Sequence, residues 1–487
     1  MAAPPVTTST KAALAVLLVA AFMDLLDVSI VSVALPAIRE DLGASEAALQ
    51  WTVAAYTLAF AAGLITGGRL GDLIGRRRVF LGGMTAFVAL SAGCALAWSP
   101  DALIAMRAVQ GLSAAMMVPQ VLAIITSAFP PGQRAAAFGA YGATLGMAAV
   151  AGPILGGLLV DVDLLGTGWR GIFLINVPIG LAALAIGRRV LPESRADKSA
   201  NLDFVGVILG AGALTLLLFP LVKGRELDWP AWTFALMGCA LVVAALFAAW
   251  ERRIERRGRT PLVPLSLFRS PSYVSGALVG FVFFSTIASF FLVYVLYLQL
   301  GTGRDALAAG LACVPFSIGS AVTSGASIAL APKLGRIVLM IGAALMAAAM
   351  VWLAVVVDSA GVDPSWLSLA MPLAVAGAGM GLVAPPLIDV CLAAVAPERA
   401  GVASGVLTTA TQAGSATGVA VIGVIFFGAL PVGVPAPQDL ADALTSTLPW
   451  VAGILTVSIP LMALLPRTAR LEHELDLELE AEPAAAT

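Results

Sequence analysis

Between Ala13 and Leu465 the chain is a succession of apolar runs, each about one bilayer crossing long, separated by short polar loops. A helix needs about 20 apolar residues to cross a ~30 Å hydrocarbon core. In that core every backbone polar group must be satisfied within the fold, which restricts spanning segments to helices and closed barrels. Runs at 13–36, 50–71, 79–98, 102–126, 137–160, 171–187, 204–221, 231–250, 274–298, 306–330, 336–357, 366–391, 401–429 and 449–465 predict fourteen spanning helices. Only 11% of the residues are charged and 60% are hydrophobic, whereas a soluble domain carries roughly 25% charged residues. The expected class is an all-α polytopic membrane protein. The run after Lys11 is too long for a signal-peptide core and reads as the first span.

That first run carries two carboxylates, Asp24 and Asp27, near its middle. Acids at such depth are costly and usually face a watery cavity or a partner. A spacing of three places both on one helix face. Desolvation and like charge then both favour the neutral form, so the pair reads as a place where a proton is held. A helix-capping or snorkelled acid is the plain alternative, and depth argues against snorkelling.

Loop charge sets the orientation. With the N-terminus in the cytoplasm, twenty of the 27 Lys and Arg residues fall on cytoplasmic segments and five on external ones. This positive-inside bias predicts an even number of spans and both termini in the cytoplasm. An internal repeat at an offset of 266 pairs Gly111 with Gly377, Pro119 with Pro385, Pro131 with Pro397 and Gly139 with Gly405. Span four thus matches span twelve, and five matches thirteen. Parallel repeats build transporters with a site between the halves. The expected organisation is a cytoplasmic N-terminus at 1–12, a six-helix bundle at 13–190 and a linker with two extra helices at 191–260. A second six-helix bundle at 261–466 and an acidic cytoplasmic tail at 467–487 complete it. The charged stretch Glu251–Thr260 reads as a solvated linker near anionic headgroups.

The loop after span two reads Gly68-Arg69-Leu70-Gly71-Asp72-Leu73-Ile74-Gly75-Arg76-Arg77-Arg78. Its glycines permit close helix contact and a sharp reversal. Asp72 can sit at a facing helix N-terminus or against an arginine, a contact able to form in one conformation and break in another. This loop resembles the signature G-x-L-x-D-x-x-G-R-[RK]-[RK] of the major facilitator superfamily. Leu26-Asp27-Val28-Ser29-Ile30-Val31-Ser32-Val33-Ala34-Leu35-Pro36 resembles the first-span signature L-D-x-T-I-V-N-V-A-L-P of its fourteen-span drug–proton antiporters, with Ser29 and Ser32 in place of Thr and Asn. Asp27 takes the family acid's place and Asp24 is additional. Arg107-Ala108-Val109-Gln110-Gly111 resembles the R-x-x-Q-G signature, which implies a proton-coupling role for Arg107. An arginine buried at this depth keeps its proton and needs an anion, which Asp24 or Asp27 would supply. Span five carries Gly142, Gly146, Gly152, Pro153, Gly156 and Gly157, and its Gly152-Pro153-Ile154-Leu155-Gly156-Gly157 resembles the antiporter signature G-P-x-x-G-G. In physical terms it is a close-packing, bendable helix. Trp169 to Pro178 resembles the family's entry to span six, whereas Lys333-Leu334-Gly335-Arg336 keeps a Gly-Arg without an acid.

Softer candidates for an apolar substrate cavity are Gln110, Met116, Phe284, Tyr294 and Tyr297. Asp389 reads as interfacial rather than as a second coupling acid. The four cysteines lack metal-ligand spacing and the single His473 lies in the tail, so neither a metal nor a cofactor is expected, and no nucleophile–histidine set suggests an enzyme. The resemblance implies a major facilitator fold of two six-helix halves plus two inserted helices. It also implies proton-gradient-driven export of hydrophobic or cationic small molecules such as drugs, antibiotics or secondary metabolites. The expected partners are the lipid bilayer, the substrate and protons, with no nucleic acid, and a monomer in the plasma membrane. An uncoupled facilitator or nutrient importer of the same fold is the alternative, which the Gly152-Pro153 helix disfavours.

Overall fold

The structure, a computed structural model, describes residues 8–129, 131–162, 166–194, 203–224, 227, 229–393, 395–431 and 434–466. The tail from Arg467, with His473, lies outside the described residues, as does the side chain of Pro153. Among the described residues the chain is helical throughout. The first half comprises α1 (Thr8–Leu42), α2 (Glu46–Ile74), α3 (Arg76–Ala95), α4 (Pro100–Ala128), α5 (Pro131–Val162), α6 (Gly171–Leu174) and α7 (Asn176–Val190). The inserted pair is α8 (Phe204–Lys223) and α9 (Ala231–Arg256). The second half comprises α10 (Pro271–Leu296), α11 (Ala306–Ala312), α12 (Val314–Leu334), α13 (Ile337–Ala360), α14 (Trp366–Ala393), α15 (Ala400–Gly428) and α16 (Pro437–Met462). Among the described residues thirteen helical segments are long and apolar enough to span, and the 32-residue α5 stands in the remaining place of the up-down order.

Prolines explain two broken spans. Pro178 and Pro315 have no N–H for the carbonyls one turn earlier, so α6 ends at Leu174 and α11 at Ala312 before the chain resumes as α7 and α12. The last helix starts at Pro437, well before the apolar run at 449, because Pro437 opens the helix and the Asp439 carboxylate accepts the Ala436 N–H at 2.7 Å. Hydropathy marks the apolar stretch and not such capped polar turns. The charged stretch Glu251–Thr260 also differs from expectation. It is not a solvated linker throughout: α9 continues to Arg256 and buries Glu251 and Ile254, three residues apart, while Arg252, Arg253, Glu255 and Arg256 stay exposed.

The repeat has a physical counterpart. A Cβ at Gly111 would collide with the Tyr56 carbonyl of α2, and one at Gly377 would collide with the Phe316 carbonyl of α12. Matched glycines therefore permit matched close approaches, α4 on α2 and α14 on α12. The two halves meet along α2 against α15 and along α5 against α12 and α14. At the end holding the 68–78 loop, Gly68 and Gly401 bring the α2 and α15 backbones together, since a Cβ on either would strike the other's carbonyl. Ser317 of α12 donates to the Gly146 carbonyl of α5 at 2.6 Å, and Gly142 faces Pro385. The inserted helices pack on each other, and α8 lies on α2 and α15.

Candidate functional site

Four buried polar side chains converge inside the first half. Arg107 of α4 forms an ion pair with Asp27 of α1 through Nη1 and Oδ2; the two are 1% and 0% exposed. The same nitrogen donates to Gln110 Oε1 at 2.9 Å, and Arg107 Nε donates to the Thr52 carbonyl at 3.3 Å. Gln110 Nε2 donates to Asp27 Oδ1 at 3.1 Å, and Asn176 Nδ2 donates to the same oxygen at 3.0 Å. Asn176 also donates to Ser91 Oγ at 3.1 Å, and Ser91 donates to the Phe173 carbonyl at 3.0 Å. The Arg107 guanidinium lies 4.2 Å from the Tyr56 ring centroid. Asp27 is therefore fully compensated: one guanidinium and two amides supply donors to both carboxylate oxygens, as burial of a charge requires.

Asp24 differs. It lies one turn earlier on α1, is half-buried, and accepts a single hydrogen bond, from the Tyr56 hydroxyl at 2.7 Å. Tyr56 thus touches both acids' surroundings, its ring under Arg107 and its hydroxyl on Asp24. No cation lies within ion-pair distance of Asp24 among the described residues.

The second cluster is the 68–78 loop. Asp72 is fully buried and makes both contacts its position suggests. It accepts Arg76 Nε at 3.1 Å and Nη2 at 2.8 Å. It also accepts the first backbone N–H groups of α15, from Gly401 at 3.1 Å and Val402 at 2.9 Å. The carboxylate of one half sits on the positive end of a helix of the other. Gly75 turns the chain at φ 120°, a backbone region open to glycine, and Gly71 leaves room for Gln120, whose amide donates to the Gly67 carbonyl at 2.7 Å. Arg77 donates through Nη2 to the Arg188 carbonyl, tying the loop to the end of α7.

The glycines of α5 divide by partner. Gly142 and Gly146 face the second half, whereas Gly152 and Gly156 admit Ser29, Ile30 and Val33 of α1; Gly157 has nothing within 4 Å of a Cβ position. The softer cavity candidates fare differently. Gln110 belongs to the Asp27 cluster. Met116 packs between Gly63 and Gly83. Tyr294 and Tyr297 are fully buried in the second half, Tyr294 stacked on Phe290 at 5.4 Å and Tyr297 donating to the Gly361 carbonyl at 2.6 Å. They pack the bundle rather than line an open cavity: Tyr294 of α10 and Tyr297, just past the end of that helix, are both turned toward neighbouring side chains and backbone. Phe284 is partly buried and its carbonyl accepts from Ser415 at 3.3 Å. Asp389 is half-buried near Arg134 of α5. Sequence reasoning missed Asn176, Ser91, Thr52 and Tyr56; an amide within an apolar run was the available signal for Asn176.

A helical bundle of two repeated halves, with a charged cluster buried inside one of them and a charge-held contact between them, has the architecture of a polytopic membrane transporter. The chain belongs to the Major Facilitator Superfamily, whose family model matches residues 17–419. The chain is 46% identical over 433 residues to the probable actinorhodin transporter of Streptomyces coelicolor, covering 88% of this chain and 74% of that protein. It is 36% identical over 440 residues to the tetracenomycin C resistance and export protein of Streptomyces glaucescens, covering 87% and 77%. The human organic anion transporter MFSD10 shares the fold at a TM-score of 0.66 and 17% identity, covering 94% of this chain and 100% of that one.

Proposed function

We propose that this protein exports hydrophobic or cationic small molecules of the antibiotic or secondary-metabolite class from the cytoplasm in exchange for protons. The setting is the plasma membrane, with both termini cytoplasmic. The observation that carries the reading is the pair of acids on α1, one locked into an ion pair and one not. Protonating Asp27 would undo its pair with Arg107. Protonating Asp24 breaks no ion pair, so Asp24 is the carboxyl free to trade a proton for a cationic substrate, with Tyr56 linking it to Arg107. The relatives named above, one a probable antibiotic transporter and one a resistance and export protein, support the cargo class. The 68–78 loop is then the cytoplasmic gate, closed here through Asp72 and α15. A ligand shifts such an equilibrium only by its difference in affinity between the two states, and competition of proton and cargo for Asp24 supplies that difference. One chain carries both halves, so a monomer suffices.

The test uses proteoliposomes with an imposed pH gradient and a cationic dye. Asp24→Asn and Asp27→Asn should each abolish gradient-driven dye movement. Asp27→Asn should also lower the yield of folded protein, because Arg107 loses its counter-charge, at about 3–5 kcal/mol for a buried pair. Gradient-driven transport surviving in Asp24→Asn would refute the reading.

A further inference from the structure

The inserted helices carry a buried acid that the transport cycle above does not use. Glu251, near the end of α9, is 0% exposed. Its Oε2 accepts the Val263 N–H at 3.2 Å, while its Oε1 has no hydrogen-bond partner among the described residues. That oxygen presses on the first turn of α8, 2.6 Å from where a Cβ of Gly206 would stand. Asp203 caps the same turn, accepting the Gly206 N–H at 3.1 Å and the Trp250 indole N–H at 2.8 Å, which ties α8 and α9 together at this end. On α2, Arg69 is 6% exposed, and its Nη2 also lacks a partner among the described residues. Arg69 is three residues before Asp72 on the same helix and within electrostatic range of Asp72, Glu251 and Arg399.

At the opposite end of the pair, Lys223 of α8 donates to Gln50 of α2 at 3.3 Å, and Phe219 stacks on Trp51 at 5.8 Å. The contact of α8 with the second half is apolar, Leu218 and its neighbours against Ala413, Ala416 and Phe281. The inserted pair is thus bound to α2 by polar and aromatic groups at one membrane face and carries a buried carboxylate within electrostatic range of Arg69 at the other. Toward α15 it offers apolar side chains.

A buried guanidinium and a buried carboxylate, each with an unmatched atom, are costly unless they compensate one another. We infer that Glu251 is the counter-charge of Arg69, and that through it the inserted pair is a positioning element of the cytoplasmic gate. Arg69 is placed to fold onto Asp72, since residues three apart share a helix face. Drawn to Glu251, it leaves the Asp72 carboxylate to Arg76 and to the N–H groups of Gly401 and Val402. Without Glu251, Arg69 turns to Asp72, competes with α15 for the anion, and weakens the closed gate. The inserted pair consequently moves with the first half and slides on the second. This inference rests on the alternating-access reading above, but not on proton exchange.

The test measures gate opening directly in the full chain in lipid nanodiscs. Spin labels at Gly82→Cys and Ile337→Cys, both exposed near the cytoplasmic ends of α3 and α13, report the separation of the halves in a Cys239→Ser background by pulsed electron resonance. Glu251→Gln should raise the ratio of long to short distances about tenfold, within the usual range of coupling between sites. Arg69→Gln with Glu251→Gln should return it to within about twofold of the parent, since Arg69 then no longer competes with α15 for Asp72. Glu251→Asp should stay near the parent. A parent-like distribution in Glu251→Gln, or a double variant as open as the single, overturns the inference. Should Glu251→Gln not fold, recovery of folded protein in the double variant supports the pairing, and failure of both counts against it. No substrate or gradient is present, so a failure here leaves the α1 acids' role intact, and a failure of the proton-exchange test leaves this result intact.

Discussion

The contact between Asp72 and α15 is the perturbation with the most definite consequence. Asp72→Asn keeps the shape and removes the charge. The Arg76 pair lies within one helical hairpin and persists when the halves separate, so its loss weakens the fold in both gate states. The bonds to Gly401 and Val402, at 3.1 and 2.9 Å, exist only while this end is closed. An asparagine has one acceptor oxygen and turns its amide N–H groups toward the other backbone N–H, so one bond loses its charge and the other is lost. Hydrogen bonds to a charged group contribute about 1.5–3 kcal/mol each, and the helix terminus adds up to about 2 kcal/mol in a partly buried setting. Because separated groups regain water, a net loss of about 2–3 kcal/mol is expected, or roughly a 30- to 150-fold fall in the closed-to-open ratio. The assay is the distance measurement between α3 and α13 at the end that holds the 68–78 loop, read alongside efflux rate and equilibrium dye binding. Turnover should slow while dye binding persists. A closed-to-open ratio within about threefold of the parent would refute the reasoning, since that is under 1 kcal/mol.

Other outcomes follow from single contacts. Gly152→Ala places a Cβ 2.6 Å from Ser29 Cβ and forces α1 and α5 apart, at about 1–3 kcal/mol; Gly157→Ala, with open space around it, should leave thermal stability in detergent unchanged or slightly raised, and equal effects of the two would contradict the packing. At the opposite membrane face, the Arg170 guanidinium and then the Trp169 indole hold the Asp41 carboxyl below its usual range by hydrogen bonds. A lowered carboxyl stabilises the fold fully above its unfolded value, about 3.9, and that contribution disappears as pH falls through the lower folded value. The pair is 32% and 46% exposed, so the difference in melting between parent and Asp41→Asn should amount to less than about 1 kcal/mol near neutral pH. It should vanish in strong acid and shrink with salt; a difference independent of pH would show that Asp41 acts otherwise.

The spans and the need of Arg107 for an acid on α1 are legible in the sequence because a charge inside an apolar run has few ways to be compensated; that the partner is Asp27 rather than Asp24 is not. The acid on α1 and the arginine on α4 each need what the other supplies. Asn176 is harder to read. It reaches Asp27 across 149 residues, and nothing local to its own segment says which helix face will meet α1. The same blindness explains Tyr294 and Tyr297: aromatic residues on α10 and in the turn after it look equally suited to a cavity or to a core, and only their neighbours decide between them. Glu251 was hidden by company. Flanked by arginines in a polar stretch, it reads as solvated, yet the helical turn carries it inward with Ile254 while the arginines point out. The inserted pair shows a similar division: few of its apolar residues are buried inside the bundle, so hydropathy detects both helices but says little about which edge of the bundle they cover.

The meeting of Gly68 with Gly401 has a kinetic meaning. Where two surfaces join by interlocking side chains, separation must first withdraw each knob from its hole, and the resistance grows with the depth of engagement. Here main chain rests on main chain, with nothing to unthread. The strength of that junction resides almost wholly in one carboxylate and the peptide groups it faces, so the junction can be firm at equilibrium and still release quickly.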